Sequence, residues 1–394
     1  MYNLNLNEEQ IAIRDTVCDF VKNEITPVAV HPDRLEPFDP PLPSELIDKA
    51  AELGLRALSI SEELGGAGAD ILTCCIVAEE LAVGDADVAS VLAETASLAG
   101  VLFEKLLNKE QRERLLPVFL EDNQYHIALA NSEAKSDTWI GNNYHRSKTT
   151  SSQINTKAIQ DKNGNWLING TKTRISNATV AKLFVVQADT EEGQILLLVP
   201  TESNGIKVNE VDRDGGWYIG SCGDVTFTDC MIPAENIIDS NAMDVFQNIG
   251  ISCAINVGVA RAAFETAVEY SKIRIQGGGP IIEHQAIGAK LAEVAIGLEV
   301  ARTIIWRAAW TSDNKTSISE GNLTGLPLNN IAHISSAEML YKAAKDSAEC
   351  FGAMGVMRDM PLQKFIHQTR MFLHRSSGND DSKLQIAEAV AGFE

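Results

Sequence analysis

The chain has 394 residues, 45% of them hydrophobic, and 33 basic against 54 acidic side chains give it a net charge of −21. That length allows two or three domains with real cores, and the acidity argues against nucleic acid and anionic membrane as partners. Seven cysteines, of which only Cys74 and Cys75 are close together, show neither a disulfide framework nor a zinc pattern. The expectation is reduced cytosolic thiols in a soluble, cytoplasmic protein without a bound metal. The start MYNLNLNEEQ has no basic region followed by an apolar run, and no stretch of 18 apolar residues is found.

In chain order, residues 7–24 read as a helix, with Asn7 as its cap, Gln10 three residues on, and an apolar face of Ile11, Ile13, Val17, Phe20 and Val21. Pro27, Pro32 and the tract from Pro37 to Pro43 predict a loop. Ser44 is the expected cap of a short helix that Gly54 ends. Residues 61–68, Ser-Glu-Glu-Leu-Gly-Gly-Ala-Gly, form a glycine-rich turn. It lacks the Lys-Ser/Thr of a phosphate-binding loop, so a plain turn is expected. Helices follow at 71–83, 88–106 and 109–122.

Near residue 125 the pattern changes. His126–Ala130 is short and apolar, and Ile154, Thr156 and Ala158 alternate with polar neighbours. Asp161-Lys162-Asn163-Gly164-Asn165 predicts a hairpin turn into Trp166-Leu167-Ile168. Strands continue at 183–186, 195–199 and 225–227, with Pro200 and Pro233 closing strands. The reading is an α+β chain with a helical domain at 1–123, an antiparallel β domain at 124–236 and a helical domain at 237–394. In the last, Gly277, Gly278, Gly279 and Pro280 stop one helix before the next begins. From Glu283 to Trp310 the residues Ile287, Leu291, Val294, Leu298, Ala301, Ile305 and Ala308 alternate spacings of four and three. Such a seam needs neighbouring antiparallel helices from the same chain or another copy.

Six pieces agree in order with one family: Glu63-Leu64-Gly65-Gly66-Ala67-Gly68, Leu167-Ile168-Asn169-Gly170-Thr171-Lys172, Ile175-Ser176-Asn177, Ile232-Pro233-Ala234-Glu235-Asn236, Arg274 with Gln285, and Phe351-Gly352-Ala353-Met354-Gly355. Over essentially its whole length the chain resembles an acyl-CoA dehydrogenase. The resemblance implies an N-terminal helical domain, a middle β domain and a C-terminal four-helix bundle, usually in a homotetramer that binds FAD across a subunit interface. It implies an acyl-CoA or related acyl thioester as substrate. Ala130-Asn131-Ser132-Glu133 resembles the stretch whose backbone and hydroxyl hold the flavin ring, with Ser132 in place of the usual threonine. Ser176 matches a second hydroxyl, near N5. Arg274 matches the arginine that reaches the FAD diphosphate of a neighbouring subunit, with Gln285 beside it, and Gly352 and Gly355 match glycines that let backbone approach the nucleotide.

Four departures from the family pattern stand out: the loop after Glu133, Arg174, Gly277 and the base position. The loop after Glu133 has only Ala134-Lys135 before Ser136-Asp137. The tryptophan that usually covers the flavin is Arg174, and the phenylalanine between the arginine and glutamine is Gly277. The glutamate that removes the α-proton falls on Ser376, and the alternative base position used by some members is Asn248. A lone serine does not accept a proton near neutral pH, although the backbone N–H at 376 can still polarise a thioester carbonyl. Asp380, Asp381 and His374 are the substitutes nearest in sequence, and a solvated helix start is the simpler role for the two aspartates. Three readings follow: an acyl-CoA dehydrogenase with a relocated base; a flavoenzyme of different chemistry, either oxygen activation (a flavin monooxygenase) or acyl-CoA elimination; or a non-catalytic partner in a heteromer with a homologous subunit. The electron acceptor is open between an electron-transferring flavoprotein, oxygen and none.

Overall fold

The structure, a computed structural model, describes residues 5–35, 41–134, 154–211, 219–238, 245–246, 250–314, 326–374 and 379–392. Helix α1 (Glu8–Phe20) opens on the expected capping box: Gln10 N–H donates to the Asn7 side chain at 2.7 Å, and Asn7 N–H donates to the Gln10 side chain at 3.1 Å. Two one-turn helices follow, α2 (Thr26–Ala29) and α3 (Pro32–Leu35). Pro27 and Pro32, expected in a loop, instead stand inside these helices: Pro32 opens α3, where the missing N–H has no intrahelical partner to lose, and Pro27 follows a π-helical segment, Val21–Ile25, that runs on from α1. Ser44 is the first residue of α4 (Ser44–Glu52) rather than its cap. Gly54 ends that helix in a left-handed conformation, φ 79°.

Then come α5 (Ile71–Gly84), α6 (Ala86–Val101) and α7 (Lys109–Glu121). A single residue, Asp85, joins α5 to α6 and caps α6 through the N–H groups of Asp87 and Val88.

The strands are β1 (His126–Ala130), β2 (Lys157–Gln160), β3 (Trp166–Ser176), β4 (Ala181–Thr190), β5 (Gly193–Pro200), β6 (Ile206–Glu210), β7 (Cys222–Ile232) and β8 (Ile237–Ile238). Their order is β6-β7-β3-β2-β4-β5-β8, with β1 beside β4. Five pairings are antiparallel, but β1 and β2 both run parallel to β4, so the sheet expected to be antiparallel is mixed. Apolar alternation reports which face is buried, not which way the neighbouring strand runs. β1 reaches β4 only after the β2–β3 excursion, and a connection that long permits parallel pairing. Ile237 and Ile238 pair with Leu197 and Leu196, carrying the sheet past the expected boundary at 236.

The C-terminal part holds α8 (Gly250–Ile273), β9 (Ile275–Gln276), β10 (Gly279–Pro280), α9 (Gln285–Asp313), α10 (Leu328–Glu349), α11 (Leu362–Met371) and α12 (Asn379–Ala391). Gly277 and Gly278, at φ 64° and 95°, do more than stop α8: they turn the β9–β10 hairpin. The α9 seam is buried from Leu291 through Val294, Leu298, Ala301 and Ile305 to Ala308, with Ile287 packed against the core.

One hydrophobic cluster runs from Val17 and Leu46 through Leu81 and Val88 to Val257, Leu298, Leu340 and Phe365, so the N- and C-terminal helices share a core. Where α5 crosses α8, Glu79 accepts Arg261 Nη1 at 2.7 Å and Arg302 Nη2 (α9) at 2.8 Å. Glu80 accepts Arg261 Nη1 at 2.9 Å and the Cys18 thiol at 3.1 Å. Gly258 permits the crossing, because a Cβ there would stand 2.2 Å from the Glu79 carbonyl oxygen and 2.7 Å from the Ala82 Cβ. Gly258→Ala is expected to cost about 1–3 kcal/mol by overpacking. Thermal or denaturant unfolding of the variant against the parent checks this, and an unchanged midpoint would contradict the crossing.

Candidate active site

Two groups of expected site residues emerge, one on the sheet and one on the C-terminal helices. In the first, buried Ala130 ends β1, and the chain continues through exposed Asn131 and Ser132. The Ser132 carbonyl accepts the Thr173 N–H at 2.9 Å, bringing this segment against the end of β3. Arg174 lies in a bulge where the β3–β7 register shifts between Lys172 and Ile175. It is exposed, has φ 55°, and donates its N–H to Asp224 Oδ1 at 2.9 Å. Half-buried Ser176 ends β3 between Arg174 and Asn177, which is also left-handed at φ 63°.

Asn177 is held there from three sides. Its Nδ2 lies 3.0 Å from the Val91 carbonyl, 3.2 Å from Thr95 Oγ1 and 3.4 Å from the Ile127 carbonyl. Nearby His126, also within reach of Thr95, is lowered to about 4 by burial, reinforced by Arg56, so it is a neutral structural group at physiological pH.

The sequence reading missed the pair that orders this corner. Glu133 accepts hydrogen bonds from Lys172 Nζ at 2.7 Å, Asn155 N–H at 2.7 Å, Thr156 N–H at 3.0 Å and Thr156 Oγ1 at 2.7 Å. The Lys172 side chain is fully buried and that of Glu133 is 11% exposed. Burial pushes the Glu133 carboxyl up, but Lys172, Thr156 and two backbone N–H groups outweigh it and hold the carboxyl at about 2. Burial pulls the Lys172 ammonium down against the opposing pull of Glu133. The carboxylate direction, backed by four donors, marks the pair as charged at neutral pH. Both residues lie inside quoted motifs, but nothing in their spacing joins them.

In the second group, Arg274 follows α8, with its N–H on the Tyr270 carbonyl and its own carbonyl accepting Ile281 N–H, each at 2.9 Å. Its exposed guanidinium has no ion-pair partner among the described residues. Tyr270 stacks on Phe351 with ring centroids 4.0 Å apart, which ties Arg274 to Gly352. Gly352 is exposed at φ 57°, and a Cβ there would meet nothing within 4 Å, leaving the backbone open to a ligand. Gly355 has a different reason to be glycine: a Cβ would come 2.3 Å from the Ala348 carbonyl oxygen, so it serves internal packing. Gln285 is the exposed first residue of α9.

Of the expected proton acceptors, exposed His374 closes α11 by donating its N–H to Met371 at 3.0 Å. Asp380 and Asp381 are in the first turn of α12. Ser376 and Asn248 lie outside the described residues, as do Lys135, Ser136 and Asp137. Helix α11 is anchored by Lys364, whose ammonium lies 2.9 Å from Asp85 Oδ2. Burial raises the Asp85 carboxyl, but Lys364 and Arg34 reverse this and hold it at about 2. Asp87 accepts the Gly220 N–H at 2.8 Å, so the α5–α6 corner touches both α11 and the sheet domain. A cleft of about 530 Å³ among the N-terminal helices, lined by Val17, Leu55, Arg56, Gly66 and Leu120, holds none of the expected site residues. Arg56 there is engaged by the Phe119 and Tyr125 carbonyls at 2.9 and 3.1 Å.

Three family descriptions match along the chain: acyl-CoA dehydrogenase N-terminal domain at residues 7–122, middle domain at 144–230 and C-terminal domain at 241–390. The benzylmalonyl-CoA dehydrogenase of Aromatoleum aromaticum is 30% identical over 99% of this chain and 100% of its own length. The chain belongs to the acyl-CoA dehydrogenase family. The short-chain specific acyl-CoA dehydrogenase of Rattus norvegicus is 28% identical over 94% of this chain and 87% of that protein. In fold, the glutaryl-CoA dehydrogenase of Mycobacterium smegmatis, solved in complex with FADH2, matches with a TM-score of 0.81 at 21% identity, covering 98% and 95% of the two chains. This member of the acyl-CoA dehydrogenase family is an oxidoreductase of that type, with the family's three-part architecture.

Glu133→Gln leaves a buried ammonium without its counter-charge and is expected to cost about 3 kcal/mol at neutral pH. The Glu133 contribution is fully present above the ordinary carboxyl value of 4.5 and fades as pH falls toward about 2. The stability gap between parent and variant, measured by denaturant unfolding, should therefore close over that window. A gap independent of pH would contradict the ion pair.

Proposed function

We propose that the chain is an FAD-dependent enzyme that introduces a Cα–Cβ double bond into an acyl thioester. The observation that carries this reading is Arg274: an exposed guanidinium, unpartnered among the described residues of a chain of charge −21, tied to the open backbone at Gly352. A diphosphate matches that combination of an exposed positive fork and a backbone that a ligand can approach. The sheet corner supplies what a flavin ring needs, two hydroxyls and exposed backbone at Ser132 and Ser176. The family match over nearly the whole chain supports the same assignment.

Bound FAD would supply the hydride acceptor. The chain's own tasks are then to hold the thioester, polarise its carbonyl and take the proton from Cα. The backbone N–H at 376 serves polarisation, since donors aimed at a developing oxyanion need no side chain. Proton removal falls to a group near the α11–α12 junction, where His374, Asp380 and Asp381 stand; Ser376 has no basicity of its own for that step. Lys364–Asp85 holds α11, and with it His374, in register with α6.

In this reading Arg274, Gln285 and Gly352 serve the nucleotide of a neighbouring copy, so the working form is a homotetramer. Exposed Ile273 and Ile275 at the hairpin, Val356 after α10, and Ile296 and Val300 on α9 are apolar surface of the kind an assembly covers. We place the protein in the cytoplasm, where its seven cysteines, none in a disulfide, stay reduced.

The test is an anaerobic titration of the purified protein with acyl-CoA thioesters, followed by visible absorption. Bleaching of the flavin band by a thioester is the expected result. A band that no thioester bleaches contradicts dehydrogenation. Of Asp380→Asn, Asp381→Asn and His374→Gln, one should slow bleaching by about 10²-fold or more, the usual weight of a general base. Unchanged rates in all three would remove these residues from the mechanism.

A further inference from the structure

Three non-glycine residues among those described have positive φ: Arg174, Asn177 and Asp229. Such a conformation costs free energy unless local contacts offset it. Asn177 is explained by its three side-chain contacts. Asp229 takes the side-chain oxygen of Asn169 on its N–H at 2.9 Å and the Asn169 Nδ2 on its carboxylate at 3.1 Å. At Arg174 only the backbone is held, through Asp224 Oδ1 at 2.9 Å. Its side chain is exposed, with no hydrogen bond or ion pair among the described residues. A bulge adds one residue to a strand, and so can aim a side chain off the sheet. Here it presents a guanidinium without a partner among the described residues, directly after Thr173, whose N–H meets the Ser132 carbonyl, and two residues before Ser176.

We propose that the Arg174 guanidinium is an electrostatic partner of the redox ring, stabilising the negative charge that the ring gains on reduction. This rests on the reading that FAD binds between Ser132 and Ser176. A fixed positive charge beside a ring that becomes more negative favours its reduced form, because the attraction is stronger after electron uptake than before. Burial of the ring against protein would strengthen that attraction by lowering the local dielectric. Asp224 opposes it only in part: its carboxylate is engaged by the Arg174 backbone N–H and makes no ion pair with the guanidinium. No proton or bond changes hands at Arg174; its contribution is charge alone. Arginine suits the task because it keeps its charge at all working pH values and can lie flat on an aromatic face.

The experiment compares the FAD-loaded parent, Arg174→Lys and Arg174→Gln in an equilibrium reduction against a reference redox dye, without substrate. At a fixed ratio of reduced to oxidised dye, the ratio of reduced to oxidised flavin should fall about tenfold or more in Arg174→Gln and stay within about threefold of the parent in Arg174→Lys. Equal ratios in all three proteins, with FAD retained, overturn the proposal. Loss of FAD from Arg174→Gln but not from Arg174→Lys also supports a charge contact with the cofactor, whereas loss from both overturns it. A parent chain that takes up no FAD overturns the functional reading and this proposal together. Unchanged ratios overturn this proposal alone.

Discussion

Glu79 and Glu80 meet Arg261 and Arg302 inside the shared helical core, and the placement of the α5–α6 corner depends on that crossing. Buried charges are costly unless paired and hydrogen-bonded. Here burial pulls Arg261 down, but Glu80 and Glu79 outweigh it and raise its pKa above the ordinary value. Glu80 is lowered, with Arg261 and the Cys18 thiol overcoming its desolvation. An ion cluster satisfied in this way specifies register: Glu79 meets Arg261 of α8 and Arg302 of α9 while Glu80 meets Arg261, and Gly258 lets α5 and α8 come close enough for it.

From that fixed crossing the α5–α6 corner projects toward the chemistry. Asp85 caps α6 and pairs with Lys364 of α11, and Asp87 takes the Gly220 N–H ahead of β7. Asn177 reaches from the end of β3 to the Val91 carbonyl on α6. One helix corner thereby positions the strand end that carries Ser176 and the helix that leads toward Ser376. The sheet half is ordered independently by Glu133 and Lys172, and the nucleotide half by the Tyr270–Phe351 stack. Two of the three left-handed non-glycine residues among those described, Arg174 and Asn177, flank Ser176. A strained segment held from several sides is pre-organised, and pre-organisation is what a cofactor site requires of its protein.

Much of this was legible in the sequence wherever the signal was local. The α9 seam reports its own burial, because a helix with apolar residues every three or four positions can satisfy them in one way. The Asn7–Gln10 box and the turn at residues 161–165 are likewise short-range chemistry. Long-range pairings were not legible. Glu133 and Lys172 are 39 residues apart, and nothing in either residue's neighbours indicates the other. Strand direction was hidden for the same reason, since β1 and β4 are short apolar runs that carry no record of which strand they pair with. Gly352 and Gly355 look alike in a motif, yet one faces open space and the other the Ala348 carbonyl. Arg174 was visible as a departure from its family, but its left-handed backbone, and a side chain without a partner among the described residues, appear only in three dimensions.

The central claim is that Ser132 and Ser176 of one chain, with Arg274 and Gly352 of a neighbouring copy, hold each flavin nucleotide, one per chain. The most direct measurement is the stoichiometry and affinity of FAD, by visible absorption and flavin fluorescence, in the parent and in Arg274→Ala. The account predicts one FAD per chain, with affinity about 10- to 100-fold weaker in the variant, the range for losing a charge-assisted contact. A parent protein that is colourless and takes up no added FAD would contradict it, and so would an Arg274→Ala protein that binds FAD as the parent does.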